Sequence, residues 1–210
     1  MPLDPPKSCS LCPRLVALRK QNQARHPNWF NGAVPAFGDA RARLLLVGLA
    51  PGLKGANRTG RVFTGDLAGK WLFAALKKLG LAEGDYAEDP KDSLVLRDCR
   101  IVNAVRCLPP DNKPSTEEIA TCRQFLTAQL QRRPRARVIL ALGRVAHESS
   151  VRALNQRPSA LPFRHGQAVA LKPFTLVSSY HCSQRNISTK RLTPAMLEKV
   201  LRRAKALAQA

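Results

Sequence analysis

Four short runs rich in Val, Ile and Leu recur along the chain, at residues 44–49, 100–105, 137–142 and 175–179. Runs of this kind are expected of strands covered on both faces. Helical patterns separate them. Over 67–79, Ala68, Leu72, Phe73, Leu76 and Leu79 recur at helical spacing. The segment 115–132 opens with Ser115-Thr-Glu-Glu118, a capping box, and stops before Pro134. A third helix spans 143–154. A last one starts at Thr193-Pro194, with Leu197, Val200, Leu201, Ala204 and Leu207 on one face. This alternation predicts an α/β fold: a three-layer αβα sandwich around a central, mostly parallel four-stranded sheet. Residues 1–210 form one domain in this reading, with 1–8 an extended tail and the polar, acidic insert 83–93 a surface loop.

In a parallel sheet the segments after the strands gather on one edge, where α/β proteins hold ligands. The first run passes into a loop with glycines at 48, 52, 55, 60 and 65. Glycines let backbone approach a ligand closely. The same loop carries Phe63, Asp66, Lys54, Arg58 and Arg61, a mixture suited to a flat, polar ligand on a polyanionic chain. The charge agrees. There are 35 Lys and Arg against 14 Asp and Glu, a formal net charge of +21. Such an excess attracts polyanions, nucleic acid foremost. No apolar run reaches transmembrane length, and the first residues lack the pattern of a signal peptide. A cytoplasmic, nucleoid-associated protein with no membrane partner is expected.

Four stretches together, Gly48-Leu-Ala-Pro-Gly52, Ala56-Asn-Arg-Thr-Gly-Arg-Val-Phe-Thr-Gly-Asp66, Asn103-Ala-Val-Arg-Cys107 and Tyr180-His-Cys-Ser-Gln-Arg-Asn186, resemble the uracil-DNA glycosylase superfamily. The nearest pattern is its iron–sulfur branch, family 5 or type b. The resemblance runs from Cys9 to the last helix. It implies a monofunctional DNA glycosylase of base-excision repair, monomeric, acting on uracil and on other deaminated bases such as hypoxanthine.

The cysteines fit this resemblance. Cys9 and Cys12 form a CxxC pair, and Cys107 and Cys122 a wider one. Four thiolates hold either a [4Fe–4S] cluster or a structural zinc, and their spacing alone does not separate the two. The resemblance implies the cluster, with Cys9, Cys12, Cys107 and Cys122 as ligands. Cys99 reads as a buried thiol.

Removing a base requires holding it flat, stabilising the departing anion and presenting a water to the sugar carbon. Gly48, Ala50, Pro51 and Gly52 then line the base pocket, and Phe63 stacks the base or is an ordinary core aromatic. Asn103, near a strand end, offers an amide to the edge of uracil, although an Asn there also caps turns. His181, in a polar loop, donates a hydrogen bond to the anion growing at the base O2. His26, His147 and His165 carry no role. Many superfamily members place Asp or Asn in the first motif to activate water; Ala50 stands there instead. Asp66 is the nearest carboxylate and takes the water or the sugar charge, unless it only caps the helix over 67–79. Asn103 shares the task in the same reading.

The loop reads His181-Cys-Ser183, where the family pattern has His-Pro-Ser. Ser183, Gln184, Arg185 and Asn186 are expected against the duplex, as a wedge and as phosphate contacts, with Arg58, Arg61 and Lys54 as further backbone contacts. Two competing readings remain at this point: a non-catalytic DNA-binding protein on the same fold with a structural cluster, and a zinc-dependent nucleotide hydrolase.

Overall fold

In chain order the strands are β1 (Phe37–Gly38), β2 (Leu44–Gly48), β3 (Ala82–Glu83), β4 (Val95–Leu96), β5 (Cys99–Asn103), β6 (Val138–Leu142), β7 (Ala168–Leu171) and β8 (Phe174–Ser179). The helices are α1 (Pro13–Arg25), α2 (Ala56–Thr59), α3 (Leu67–Lys78), α4 (Thr116–Gln131), α5 (Arg144–Ala153), α6 (Gln184–Ser188) and α7 (Pro194–Gln209). The structure, a computed structural model, describes residues 2–132 and 135–210.

The main sheet has the order β1-β5-β2-β6-β8-β7. Its four central strands are the four apolar runs, and they pair in parallel. Antiparallel β1 and β7 extend the expected four strands to six. Alternate residues of the central strands enter two separate cores. Leu44, Leu46, Ile101, Leu140 and Val177 pack with α3 and α7 through Leu72, Phe73, Leu76, Leu197 and Leu201. Leu45, Val47, Val102, Ile139 and Leu176 pack on the other side with Leu126 and Leu130 of α4 and Val151 of α5. This is the three-layer sandwich. Each fully buried leucine contributes about 1.5–3 kcal/mol, and truncating Leu46, with no exposed surface, costs about 2–5 kcal/mol.

Helix ends follow the sequence. Ser115 and Glu118 exchange both capping-box hydrogen bonds, and α4 ends at Gln131; Pro134 lies outside the described residues. Thr193 caps α7, with Pro194 at its first position.

Two peripheral segments depart from expectation. The described part of the N-terminal tail is anchored. Asp4 accepts from Arg106 Nη1 (2.7 Å) and from the Ala36 backbone N–H (3.0 Å), while Arg106 is 1% exposed. A buried guanidinium needs a carboxylate, and the tail supplies it. The insert 83–93 is also more than a surface loop. It continues from the small β3–β4 hairpin and sends Tyr86 and Asp92 back toward the glycine loop.

Parallel pairing brings the carboxyl ends of β2, β5, β6 and β8 to one edge. Gly48 lies opposite Asn103, and Leu142 opposite Ser179.

Candidate active site

The site is built around Gly48. A β-carbon there would lie 2.4 Å from Asn103 Oδ1 and 2.8 Å from the Phe63 ring. Only glycine lets the amide and the ring close on the end of β2. Asn103 is 3% exposed, and among the described residues its side-chain amide has no hydrogen-bond partner. An amide without a protein partner is free to pair with a ligand edge that offers one donor and one acceptor.

Phe63 is buried, with φ of 53°. For a non-glycine residue this conformation costs about 1–3 kcal/mol and persists only where neighbours enforce it. Three do. Tyr86 Oη donates to the Phe63 carbonyl (3.1 Å) and accepts from Gly65 N–H (3.2 Å). Gly69 brings α3 so close that a β-carbon would lie 1.8 Å from that same carbonyl oxygen. Arg61 makes a bidentate pair with Asp92 (2.7 and 2.8 Å) and donates to Thr64 Oγ1 (2.8 Å).

His181 follows β8, and its ring stacks on Phe63 with centroids 5.7 Å apart and planes 23° apart. Burial lowers its pKa to about 4, so the imidazole is neutral at physiological pH. A neutral ring still carries one N–H donor, and among the described residues no partner occupies either ring nitrogen. The loop is held from both ends. Asn186 Nδ2 donates to the His181 carbonyl (2.8 Å), and Ser183 caps α6. Cys182, where the family pattern has Pro, has no exposed surface, and its Sγ donates to Ala68 O (3.6 Å). Burial pushes this thiol up to about 12. It therefore pins the loop to α3 as a neutral group.

Asp66 and His181 line one cleft of about 400 Å³, with Ala50, Ser183, Gln184 and Asn112. Asp66 caps α3, accepting from Gly69 N–H at 3.0 Å through Oδ1. Its Oδ2 packs where a β-carbon on Gly55 would come within 2.4 Å. Burial raises its pKa. The cap is thus real, and the same carboxylate also fronts the cleft.

The expected DNA contacts divide. Gln184, Arg185, Lys54 and Arg58 are exposed, but Arg58 lines a different cleft, beside Trp29 and Phe30. Arg61 is corrected: it is 7% exposed and paired with Asp92, so it braces Phe63 and is unavailable to a phosphate. Asn186 spends its amide on His181. Ala50, lacking a polar group, packs toward the cysteines, and Pro51 is buried.

Cys9, Cys12, Cys107 and Cys122 all line one small cavity of about 20 Å³, walled by Leu15, Val105 and Phe125. Cys12 is the N-cap of α1, and burial first, then Glu118 and Cys9, raise its pKa. Arg106 N–H donates to Cys122 Sγ at 3.3 Å. Burial first, and then the neighbouring thiols, push Cys107 up to about 12. Among the described residues no three Cys, His, Asp or Glu side chains converge on a single ion position. The four cysteines line the same cavity, and four thiols are a donor set of the kind that holds a thiolate-bound group.

Tyr86, Asp92 and Asn112 are parts of the site that the sequence did not disclose. Asn112 lies in the stretch after β5 that feeds this edge; its position next to the strand end was the available signal. Tyr86 and Asp92 sit in a polar insert and carry no local signal.

A family model described as "Uracil DNA glycosylase superfamily" matches residues 35–205. The chain is 45% identical over 208 residues to a type-5 uracil-DNA glycosylase of Thermus thermophilus, covering 96% of this chain and 94% of that protein. It is 41% identical to a type-5 uracil-DNA glycosylase of Pyrobaculum aerophilum, covering 95% and 88%. A type-4 uracil-DNA glycosylase of the same organism is 32% identical over 157 residues, covering 74% and 65%.

Proposed function

From the premise that the chain belongs to the uracil-DNA glycosylase superfamily, in its type-5 group, we propose that it hydrolyses the N-glycosidic bond of uracil in DNA and leaves an abasic site. The observation that carries the proposal is the open Asn103 amide beside Phe63 and the neutral, unpartnered His181.

The roles follow from the chemistry. An extruded uracil lies along Phe63. Asn103 Nδ2 donates to O4 and Oδ1 accepts from N3–H, a pairing that the amino-bearing edge of cytosine would not reproduce. The N1–C1′ bond breaks with its electron pair leaving on the base, and negative charge gathers at O2. The His181 N–H donates to that oxygen. A preorganised donor of this sort is worth about 10²–10³ in rate. The sugar becomes oxocarbenium-like; water adds to C1′, and its proton passes to solvent and so to the departed base anion. Asp66 is our assignment for orienting that water or stabilising the sugar charge. Lys54 lines the reaction cleft but lies outside the four motif stretches, and we assign it no Schiff base, so strand cleavage is not part of the proposed activity. Other deaminated bases, hypoxanthine among them, belong to the same proposed range.

We assign a [4Fe–4S] cluster to Cys9, Cys12, Cys107 and Cys122. Bound there, it would act as a clip joining the N-terminal segment, the end of β5 and α4. Four cysteines lining one cavity support a thiolate-held metal group there, and the resemblance to the iron–sulfur branch favours the cluster over a zinc. Acting on chromosomal DNA, the protein would associate with the nucleoid.

The test is incubation with a uracil-containing duplex followed by alkali. Strand scission at uracil is expected. Absence of scission at uracil, hypoxanthine and xanthine alike would remove the glycosylase reading.

A further inference from the structure

His181 and Leu49 border a second and larger cleft of about 690 Å³, on the β6–β8 side of the site. Arg144, Arg164 and Arg191 line it, from three different segments, and among the described residues no carboxylate does. All three arginines are exposed, and among the described residues none has an ion-pair partner. Arg144 opens α5, so the positive end of that helix also faces the cleft.

Arg191 is held without a carboxylate. Its guanidinium carbon lies 4.7 Å from the centre of the Tyr180 ring, and Tyr180 stacks on His165 at 4.9 Å with planes 2° apart. Tyr180 thus holds both Arg191 and His165 against its ring. A guanidinium fixed through its face keeps its edge donors free for a planar or tetrahedral anion. His165 is fixed as well. Its Nδ1 accepts from the Tyr180 backbone N–H at 3.1 Å, which puts the ring proton on Nε2. Among the described residues Nε2 has no partner, and the ring lines the cleft.

We infer that this cleft seats the backbone phosphates of the damaged strand next to the extruded nucleotide, with Arg191, Arg164 and His165 as donors. The inference rests on the glycosylase reading above and adds a strand path to it. A wall with three free cations and a fixed neutral donor, shared at His181 with the reaction cleft, matches a phosphodiester chain leaving the flipped nucleotide. It also gives a role to His165, which the sequence left without one. Arg58 and Arg61, the cations nearest the motif in sequence, are not on this path.

The experiment uses the full chain, with its metal centre, and uracil duplexes in which one phosphate at a time on the uracil strand is a neutral methylphosphonate. Wild type should bind about tenfold more weakly when one or two phosphates adjoining the uracil are neutral. Arg164→Gln and Arg191→Gln should each lower the slope of log affinity against log salt by about 0.9. Each should also lose sensitivity to methylphosphonate at its own position. Unchanged slopes, or full methylphosphonate sensitivity in both variants, would overturn the subsite. Among the described residues the Arg164 side chain has no hydrogen-bond or ion-pair partner, so its variant reads the subsite even if Arg191→Gln disturbs the packing on Tyr180. The glycosylase reading fails separately, through absence of uracil excision by wild type; the salt slopes on the same duplexes would still decide the phosphate path.

Discussion

Gly48 and Asn103 face each other across β2 and β5, and Asn103 Oδ1 occupies the space a β-carbon on Gly48 would need. Base reading and strand pairing therefore depend on the same missing atom. Gly48→Ala must push Asn103 and Phe63 aside together. A displacement near 1 Å costs about 100-fold in rate. Single-turnover excision should fall by about that factor, with a melting temperature within a few degrees of wild type. Excision at the wild-type rate would show that the amide and ring are not held by this contact.

His181→Ala should cut the single-turnover rate by about 10²–10³ and change DNA affinity far less. The pH behaviour is distinctive. Burial holds the ring pKa at about 4, below the usual 6.5, so the folded state takes its proton later than the unfolded state. Stability contributed by the neutral ring is full above pH 6.5 and is lost as pH falls toward 4. Across pH 5–8 the excision rate should show no histidine titration. An inflection near 6.5 that disappears in His181→Ala would contradict a neutral donor.

Asp66 can be divided into its two roles. Asp66→Ser keeps a cap for α3, whereas Asp66→Ala removes it at a cost of about 1 kcal/mol. If the carboxylate acts in the chemistry, both variants lose rate and only the alanine variant loses stability. Full activity in Asp66→Ser would leave Asp66 a cap alone. Since burial raises the Asp66 pKa, activity that needs the carboxylate should decline on acidification earlier than an ordinary aspartate would allow.

Arg61→Ala should behave as a stability variant. It leaves the Asp92 side chain, 4% exposed, with only the Ala87 and Leu94 backbone N–H groups as donors, and breaking a buried pair costs up to about 3–5 kcal/mol. Denaturant unfolding should show that loss, and the salt dependence of DNA binding should not change. A lower salt slope would return Arg61 to the phosphate contacts.

Cys107→Ser removes one of the four thiols around the cavity. Purified protein should lose its visible absorbance and much of its bound iron, and should unfold at a lower temperature. Retention of the full spectrum and iron content would exclude Cys107 as a ligand.

The central sheet was legible because its strands are buried on both faces, and continuous apolar runs advertise that state. β1 and β7 escaped because short edge strands lack such a run: β1 is Phe37–Gly38 alone, and β7 is half exposed. Within the site, Gly48, Phe63, Asn103, Asp66 and His181 lie in motifs at strand ends, and the resemblance named them. The supports did not announce themselves. Tyr86 and Asp92 act through contacts with residues more than 20 positions away, and a polar insert looks the same with or without such contacts. Arg61 misled for the same reason. A cation in a loop reads as a surface charge until its distant carboxylate is known. Asp4 in the tail is the mirror case, an acid whose partner Arg106 lies just past the end of β5.

The cysteine cavity also sets an order of events during synthesis. Its first wall, Cys9 and Cys12, leaves the ribosome early, while Cys122 on α4 follows about 110 residues later. At about 5–20 residues per second, the first two thiols wait for several seconds without the other half of their container. During that interval the nascent chain holds an unpaired CxxC motif open to stray metals and oxidants. A group held by all four thiols can therefore be seated only after Cys122 has emerged.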